Sequence, residues 1–120
     1  MSKNYPELRR ELQGAIKRLG AKSPDVMKSF GTLHGAAYRN GALETKHKEL
    51  IALGISIGVR CEDCIAFHTH EALANGATPE EVIECINVAI QMGGGPSVMY
   101  GAHALEALEQ FSDATFQSQR

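Results

Sequence analysis

The sequence predicts an all-α protein built as a bundle of about six helices. Three observations support this fold class. Apolar residues recur at helical spacing through most of the chain, and proline, glycine and capping residues separate the periodic segments. No segment shows a hairpin turn signal, a convincing strand or a repeat of fixed period.

The first two helices are predicted from their start signals and apolar stripes. The first runs from about Pro6 to Leu19, with the proline suited to its first turn. The second follows Ser23, which can act as a cap, and Pro24, which fits the first helical position. We expect it to stop near Gly41, where glycine can adopt a left-handed closing conformation. The stripes consist of Leu8, Leu12, Ala15, Ile16 and Leu19 in the first helix and Val26, Phe30, Leu33 and Ala37 in the second.

The third segment, from about Thr45 to Val59, is almost wholly apolar after Leu50. A buried strand is an alternative interpretation, but about 15 residues is long for a strand and the apolar residues also satisfy helical spacing. An apolar surface on all sides indicates deep burial of this helix. After a short junction, a fourth helix is predicted from about Glu62 to Asn75, so the paired cysteines lie in its first turn.

Two further helices complete the predicted bundle. Thr78, Pro79 and Glu81 form a start signal with a capping box, and the fifth helix extends from there to a break of three glycines and Pro96. The sixth helix runs from about Pro96 to Gln110, and residues 112 to 120 are expected to form a polar tail. The inward residues of the fifth are predicted to be Val82, Ile83, Ile86, Ala89 and Ile90, and the apolar positions of the sixth are Val98, Met99, Ala102, Leu105 and Leu108.

Length and composition exclude several classes of protein. A chain of 120 residues is most simply one domain with a core of its own. Its 12 basic and 14 acidic residues are mixed, so we expect neither a nucleic-acid nor a membrane partner. No apolar run approaches the roughly 20 residues of a spanning helix, and the N-terminus lacks the apolar core of a signal peptide. We therefore expect a cytoplasmic protein.

The chemically most informative residues are Glu49, Cys61, Cys64 and His68. Two cysteines three residues apart on a helical turn can form a reversible disulfide, and thiol chemistry proceeds through the thiolate. His68 follows Cys64 by one helical turn and can remove its proton, while Glu49, from the preceding helix, can orient or charge-balance the imidazole. The spacing indicates a relay of carboxylate, imidazole and thiol.

Two alternatives for the cysteine pair stay open at this point. The pair can be two buried reduced thiols, although in a reducing compartment this spacing is more often redox-active or metal-binding. The pair can also bind zinc, with ligands drawn from Cys61, Cys64 and His68 and a fourth from His34, His70 or Glu49. Because structural zinc sites usually use a second distant Cys or His pair, and none is evident, we expect no metal.

Two of these residue types also have simpler interpretations. Glu49 alone would be a solvated carboxylate that stabilises the first turn of its own helix. Its spacing to the cysteines is what favours a catalytic role. Cys85 lies among apolar residues on the fifth helix and is predicted to be a packed, inert thiol.

The string Glu-x11-Cys-x-x-Cys-x3-His spans Glu49 to His68 and is followed by Asn-Gly-Ala-Thr at residues 75 to 78. This pattern resembles that of the carboxymuconolactone decarboxylase superfamily. The cysteine pair makes the chain similar to the AhpD-like alkylhydroperoxidase branch, whereas the decarboxylase branch typically lacks the pair. The resemblance extends from about Val26 to Leu108. It implies an all-helical AhpD-like domain whose protomers assemble into trimers or hexamers.

The resemblance also implies roles for individual residues. Cys64 matches the family's cysteine that becomes a sulfenic acid. Cys61 matches the cysteine that donates a proton and closes the disulfide. His68 and Glu49 match the relay that activates the thiol. Physical reasoning on the residues leaves the attacking cysteine open, because a helix N-terminus favours a thiolate at Cys61 whereas the histidine favours Cys64. We expect Cys64 to attack.

One position departs from the family pattern. Better-known members have a histidine just before the second cysteine, where this chain has Asp63. A neighbouring carboxylate tends to raise a thiol pKa, whereas an imidazolium lowers it, so Asp63 favours disulfide exchange over attack on peroxide.

The function implied is therefore a thiol-dependent peroxidase or disulfide oxidoreductase that reduces alkyl hydroperoxides, with an antioxidant role. It needs no bound cofactor, and the family suggests a lipoyl-bearing or thioredoxin-like protein as its thiol reductant. Two other classes remain as alternatives. One is a cofactor-free decarboxylase or lactone-processing enzyme that uses His68 and Glu49 as acid and base. The other is a non-catalytic thiol redox sensor or scaffold.

Overall fold

The chain folds into six α-helices, as predicted. The computed structural model describes residues 3 to 118, with side chains up to residue 113, and contains no strand within that part of the chain. The helices are α1 (Tyr5–Lys22), α2 (Pro24–Tyr38), α3 (Thr45–Gly58), α4 (Glu62–Ala74), α5 (Pro79–Gly93) and α6 (Gly95–Ser118).

Local capping interactions set most of the helix boundaries. The Thr78 hydroxyl accepts from the Glu81 amide while the Glu81 carboxylate accepts from the Thr78 amide, so the predicted capping box is confirmed. Gly76 closes α4 in a left-handed conformation with φ 98°. The expected glycine stop of α2 at Gly41 is wrong, because α2 already ends at Tyr38. The side chain of Asn40 instead accepts from the Thr45 amide, at 2.8 Å, and so helps to start α3.

The antiparallel pair α3 and α4 forms the centre of the molecule. Helix α3 packs mainly on α4 and α5, α6 packs on α4 and α5, and α1 crosses both α4 and α6. The largest fully buried apolar side chains come from four different helices and are Tyr5, Leu53, Ile57, Ile65 and Val82. One continuous core therefore holds α3 and α4 at fixed positions relative to each other.

The predicted burial of α3 on all sides is wrong for the single chain. Ile51, Ile55 and Val59 are 51%, 59% and 67% exposed. Helices α4 and α5 cover one side of α3, whereas α2 contacts it only slightly, so the opposite side is open. The apolar stripe of α2 is exposed as well, and α2 contains no buried residue.

The core-facing sides of α5 and α6 also differ from expectation. Val82, Ile86 and Ala89 are buried as predicted, but Ile83 is exposed. Of the apolar positions singled out in α6 only Leu108 is buried, because small residues face α5 and allow close approach. A Cβ atom on Gly101 would lie 3.0 Å from Cγ2 of Ile86. Over the part of α6 whose side chains are described, residues 95 to 113, the buried residues are Ser97, Gly101, Ala104, Ala107, Leu108 and Phe111.

The expected polar tail is partly helical. Helix α6 continues to Ser118 instead of ending near Gln110, and residues 119 and 120 lie outside the described part of the chain. None of the helices in the described residues has both the length and the apolarity needed to cross a bilayer.

Candidate functional site

The turn between α3 and α4 positions the first cysteine. The Cys61 amide donates to the Ser56 carbonyl at 3.0 Å, and the Arg60 amide donates to the Ile57 carbonyl at 3.2 Å. This pair of bonds is a Schellman motif, which requires a left-handed residue between helix and exit. Arg60 occupies that position with φ 61°, although glycine is the usual residue there. The motif ends α3 and brings Cys61 directly to the start of α4.

Cys61 and Cys64 form a disulfide across the first turn of α4. Cys61 is the N-cap residue, and its sulfur accepts from the Cys64 amide at 3.2 Å. The Cα atoms of the pair lie 5.2 Å apart, within the range that a disulfide bridges. Both cysteines are half-buried, so the bridge is open to reagents from one side of the helix. The structure thus joins the two residues that the spacing paired.

Glu49 and His68 form a second close pair. The His68 Nδ1 atom lies 2.7 Å from Oε1 of Glu49, and the carboxylate is 2% exposed. An ionised carboxylate only accepts hydrogen bonds, so this contact requires the imidazole proton to be on Nδ1. The other ring nitrogen is then available to take up a proton. This arrangement gives the imidazole a fixed orientation and a nearby negative charge.

Tyr38, at the end of α2, is part of the site, and the sequence reasoning missed it. Its ring stacks on His68 with centroids 6.0 Å apart and on His34 with centroids 4.4 Å apart. Burial and the charge of Glu49 raise the pKa of the Tyr38 hydroxyl. The spacing of His34 and Tyr38 by one helical turn was a signal for their mutual contact, but no local signal linked Tyr38 to His68.

Two apolar grooves meet at Cys64 and His68. The first, named here the α2–α3 groove, has a volume of about 450 Å³ and runs between the end of α2 and the exposed side of α3. The second, named the α1–α2 groove, has a volume of about 730 Å³ and lies between α1, α2 and α4. Ala37 and Tyr38 border both grooves, whereas Cys61 borders only the α1–α2 groove. Cys64 is therefore accessible from two directions and Cys61 from one.

A polar cluster beside Cys61 was also not predicted. Glu62 accepts from the buried Tyr5 hydroxyl at 2.9 Å and pairs with Lys3 at 3.0 Å, and His103 lies 3.8 Å from the same carboxylate oxygen. Burial favours the neutral acid, but the hydrogen bonds from Lys3 and Tyr5 and the neighbouring His103 outweigh it and lower the pKa of Glu62. Burial and Glu62 raise the pKa of Tyr5. The cluster ties α1 and α6 to the first turn of α4.

The other candidate residues lie as follows. Asp63 is exposed and borders the α1–α2 groove beside both cysteines. His34 borders the same groove, whereas His70 contacts Glu71 at 2.8 Å and packs edge-on against Phe111. Within the described residues, no group of three or more His, Cys, Asp or Glu side chains is arranged to hold a metal ion.

The third cysteine lies on the far side of α3. Cys85 is a half-buried free thiol whose sulfur donates to the Leu50 carbonyl at 3.0 Å. Burial raises the pKa of this thiol, which disfavours the reactive thiolate. Its surroundings are those of a packed residue, as the sequence predicted.

Comparisons with known proteins identify relatives of similar sequence and fold. An uncharacterized protein of Cupriavidus necator is 39% identical over 95 residues, which span 79% of this chain and 84% of that protein. A carboxymuconolactone decarboxylase family protein from Legionella pneumophila superposes with a TM-score of 0.88 at 39% identity, covering 92% of this chain and 99% of that one.

A more distant solved structure has the same fold. It is a Thermotoga maritima protein of the same family, for which an involvement in the antioxidative response has been suggested. It superposes with a TM-score of 0.75 at 32% identity, and the match covers 98% of this chain and 97% of that one. The sequence profile of the carboxymuconolactone decarboxylase family matches residues 24–107. The chain, with its AhpD-like helical bundle, therefore belongs to the carboxymuconolactone decarboxylase family.

Proposed function

We propose that the protein is a thiol-dependent peroxidase and disulfide oxidoreductase that reduces organic hydroperoxides through Cys61 and Cys64. The observation that carries this proposal is the Cys61–Cys64 disulfide at the meeting point of two grooves, next to a His68 imidazole hydrogen-bonded to Glu49. A reversible dithiol, a base with a fixed tautomer and an apolar approach are what such a reaction needs. The suggested antioxidative role of the Thermotoga maritima relative points in the same direction.

The reaction cycle balances as follows. His68 takes the proton of the Cys64 thiol, and the thiolate attacks one peroxide oxygen, so that the O–O bond breaks and the sulfur becomes a sulfenic acid. The departing alkoxide takes up the proton and leaves as an alcohol. The Cys61 thiol then condenses with the sulfenic acid, which forms the disulfide and releases water. An external dithiol reduces the disulfide and is itself oxidised to a disulfide.

The shape of the site supports a protein dithiol as that reductant. Both sulfur-bearing residues border the α1–α2 groove, which is lined mainly by apolar side chains from α1 and α2. A dithiol on a slender, apolar arm can enter such a groove and exchange with the disulfide. We propose a lipoyl-bearing or thioredoxin-like protein in the cytoplasm, where thiol reductants are maintained.

The exposed apolar residues support self-association. Val26 on α2, Val88 and Met92 on α5 and Met99 on α6 lie outside both grooves and are each more than 60% exposed. Exposed apolar surface of this kind is usual at an interface between protein chains. We propose that the protein is a homo-oligomer, either a trimer or a hexamer, in which these faces contact other copies.

Turnover of cumene hydroperoxide with dihydrolipoamide or dithiothreitol tests the proposal directly. The wild type should consume peroxide continuously, and Cys61→Ser and Cys64→Ser should each lose catalytic turnover. Cys85→Ser, which removes a thiol outside the site, is the matched control and should keep turnover.

Two results would contradict the proposal. Reversible disulfide formation without any peroxide turnover would make the protein a thiol sensor. A decarboxylase or lactone-processing activity that survives both site substitutions would instead assign the chemistry to His68 and Glu49 alone.

A further inference from the structure

We propose that Tyr38 is a further catalytic residue of this site, whose hydroxyl donates a hydrogen bond to the oxygen that leaves when the peroxide bond breaks. The inference rests on the proposed peroxidase function. It adds a residue from a helix that contributes nothing to the buried core but whose last residue borders the same grooves as Cys64.

Ring contacts and a backbone hydrogen bond hold Tyr38 in position. Its ring stacks on the ring of His34 and on that of His68, and its plane makes an angle of 16° with the His68 ring plane. Its backbone carbonyl accepts from the Thr45 hydroxyl at 2.6 Å, which ties the last residue of α2 to the first turn of α3. Tyr38 and Cys64 border the same two grooves. A small molecule that reaches Cys64 by either groove therefore passes the phenol ring.

The Tyr38 hydroxyl has no hydrogen-bond partner within the described residues. The hydrogen bond from the Thr45 hydroxyl is accepted by the backbone carbonyl of Tyr38, not by its side chain. The buried hydroxyl of Tyr5, in contrast, is shared between Glu62 and His103. A half-buried phenol usually finds a partner, so this hydroxyl can donate to a ligand bound in the grooves that Tyr38 borders. Burial and Glu49 raise the pKa of Tyr38, so the hydroxyl keeps its proton over the pH range in which thiolates form.

The proposed contact meets a specific chemical need. As the Cys64 thiolate attacks the distal oxygen, two electrons pass from sulfur to the peroxide and negative charge develops on the other oxygen. A neutral phenol stabilises that charge by a hydrogen bond and keeps its own proton. The proton that converts the alkoxide to the alcohol is the one that His68 took from Cys64. Removal of one preorganised donor to a developing oxyanion typically lowers the rate by about 10²- to 10³-fold in a closed site.

A matched pair of tyrosine substitutions tests this role. Tyr38→Phe keeps the ring and its stacking but deletes the hydroxyl. Tyr100→Phe makes the same change in a residue whose ring packs edge-on against His103 and which borders neither groove. Because the grooves are open to solvent, we expect Tyr38→Phe to lower kcat/KM for cumene hydroperoxide by about 10- to 100-fold. The Tyr100→Phe variant should match the wild type.

A second readout separates chemistry on the peroxide from general damage to the site. The reduced protein is reacted with 5,5′-dithiobis(2-nitrobenzoic acid), a disulfide that has no oxygen leaving group, and the apparent thiol pKa is taken from the pH dependence of the rate. Tyr38→Phe should leave this rate and pKa unchanged. Tyr38→Leu, which also removes the ring that stacks on His68, should lower both reactions.

The outcomes are distinguishable. Wild-type peroxide turnover by Tyr38→Phe, or an equal loss in both reactions, would overturn the role of the hydroxyl while the proposed function stands. Absence of peroxide turnover in the wild type, with normal reactivity toward the aromatic disulfide, would overturn the proposed function and this role with it.

Discussion

The buried carboxylate of Glu49 lies 2.7 Å from Nδ1 of His68, whose imidazole borders both grooves. Within the described residues, no other hydrogen bond joins α3 to this imidazole. The two residues are 19 positions apart in sequence, and the α3–α4 turn brings them together. A buried carboxylate in this position holds one tautomer of the ring and fixes its orientation. In the proposed reaction, this pair supplies the base that acts on Cys64.

Substitution at this pair should therefore reduce peroxide turnover in a graded way. His68→Gln removes the base and should lower kcat/KM for cumene hydroperoxide by about 10²- to 10⁴-fold, the usual range for general base catalysis. Glu49→Gln keeps a hydrogen-bond acceptor but removes the charge, so we expect a smaller loss of about tenfold. The partly exposed His47, whose Nδ1 lies 3.8 Å from Oε1 of Glu44, offers the control His47→Gln with unchanged activity. Full turnover by His68→Gln would remove the imidazole from the mechanism.

The two cysteines should leave different intermediates. In Cys61→Ser the sulfenic acid on Cys64 has no thiol with which to condense, so peroxide treatment followed by dimedone should label Cys64 stoichiometrically by mass spectrometry. In Cys64→Ser no label should appear on Cys61 at the same peroxide concentration. The reverse pattern would show that Cys61, at the N-cap of α4, is the attacking residue.

Arg60 should be replaceable by glycine with a gain in stability. A left-handed backbone costs an L-residue roughly 1–2 kcal/mol, and part of that gain is lost to the greater freedom of glycine in the unfolded chain. We expect Arg60→Gly to raise the free energy of unfolding by about 0.5–1 kcal/mol in urea titrations of the oxidised protein. Arg39, an exposed residue with φ −65°, is the matched control, and Arg39→Gly should be neutral or destabilising. A loss of stability in Arg60→Gly would mean that the side chain, not the backbone, matters at this turn.

The Glu62 cluster should contribute stability that depends on pH. The folded-state pKa of Glu62 is lowered, so its contribution is complete above the unfolded pKa of about 4.3 and is lost as pH falls through the lower folded value. Glu62→Gln should destabilise the protein by about 1–2 kcal/mol at pH 7, because it removes charged hydrogen bonds from Lys3 and Tyr5.

The pH series supplies the check on that prediction. The difference between wild type and Glu62→Gln in urea unfolding should shrink steadily below about pH 4. The exposed Glu11 serves as control, since Glu11→Gln should show no such dependence. A difference that is constant from pH 7 to pH 3 would assign the effect of Glu62 to packing instead of charge.

Cys85 should be the slowest of the three thiols to react. Burial raises its pKa, so after reduction of the disulfide, limited alkylation with iodoacetamide at pH 8 should modify Cys61 and Cys64 before Cys85. Peptide mapping over time gives the order. Early modification of Cys85 would show that α3 and α5 open readily in solution.

Short-range signals in the sequence were sufficient for the helices and for the cysteine pair. The start at Thr78 and the stop at Gly76 depend on hydrogen bonds between residues a few positions apart, so a short window contains both partners. The Cys-x-x-Cys spacing likewise places both sulfurs within one turn of α4. The pairing of Glu49 with His68 was indicated by their spacing to the cysteines and by the family resemblance, and it forms because the consecutive helices α3 and α4 pack against each other.

Other features required the folded chain. The spacing of apolar residues in α3 and α6 shows which positions can be buried, but not which side another helix will cover, so Ile55 is exposed and Gly101 is buried.

By itself, the sequence determined the all-α class, most helix ends and the proximity of Cys61 and Cys64, because capping, periodicity and short spacing are properties of adjacent turns. Only the tertiary structure decided that Tyr38 stacks on His68 and that Tyr5 and His103 converge on Glu62. These contacts join helices far apart in the chain, and their geometry follows from how the whole core packs.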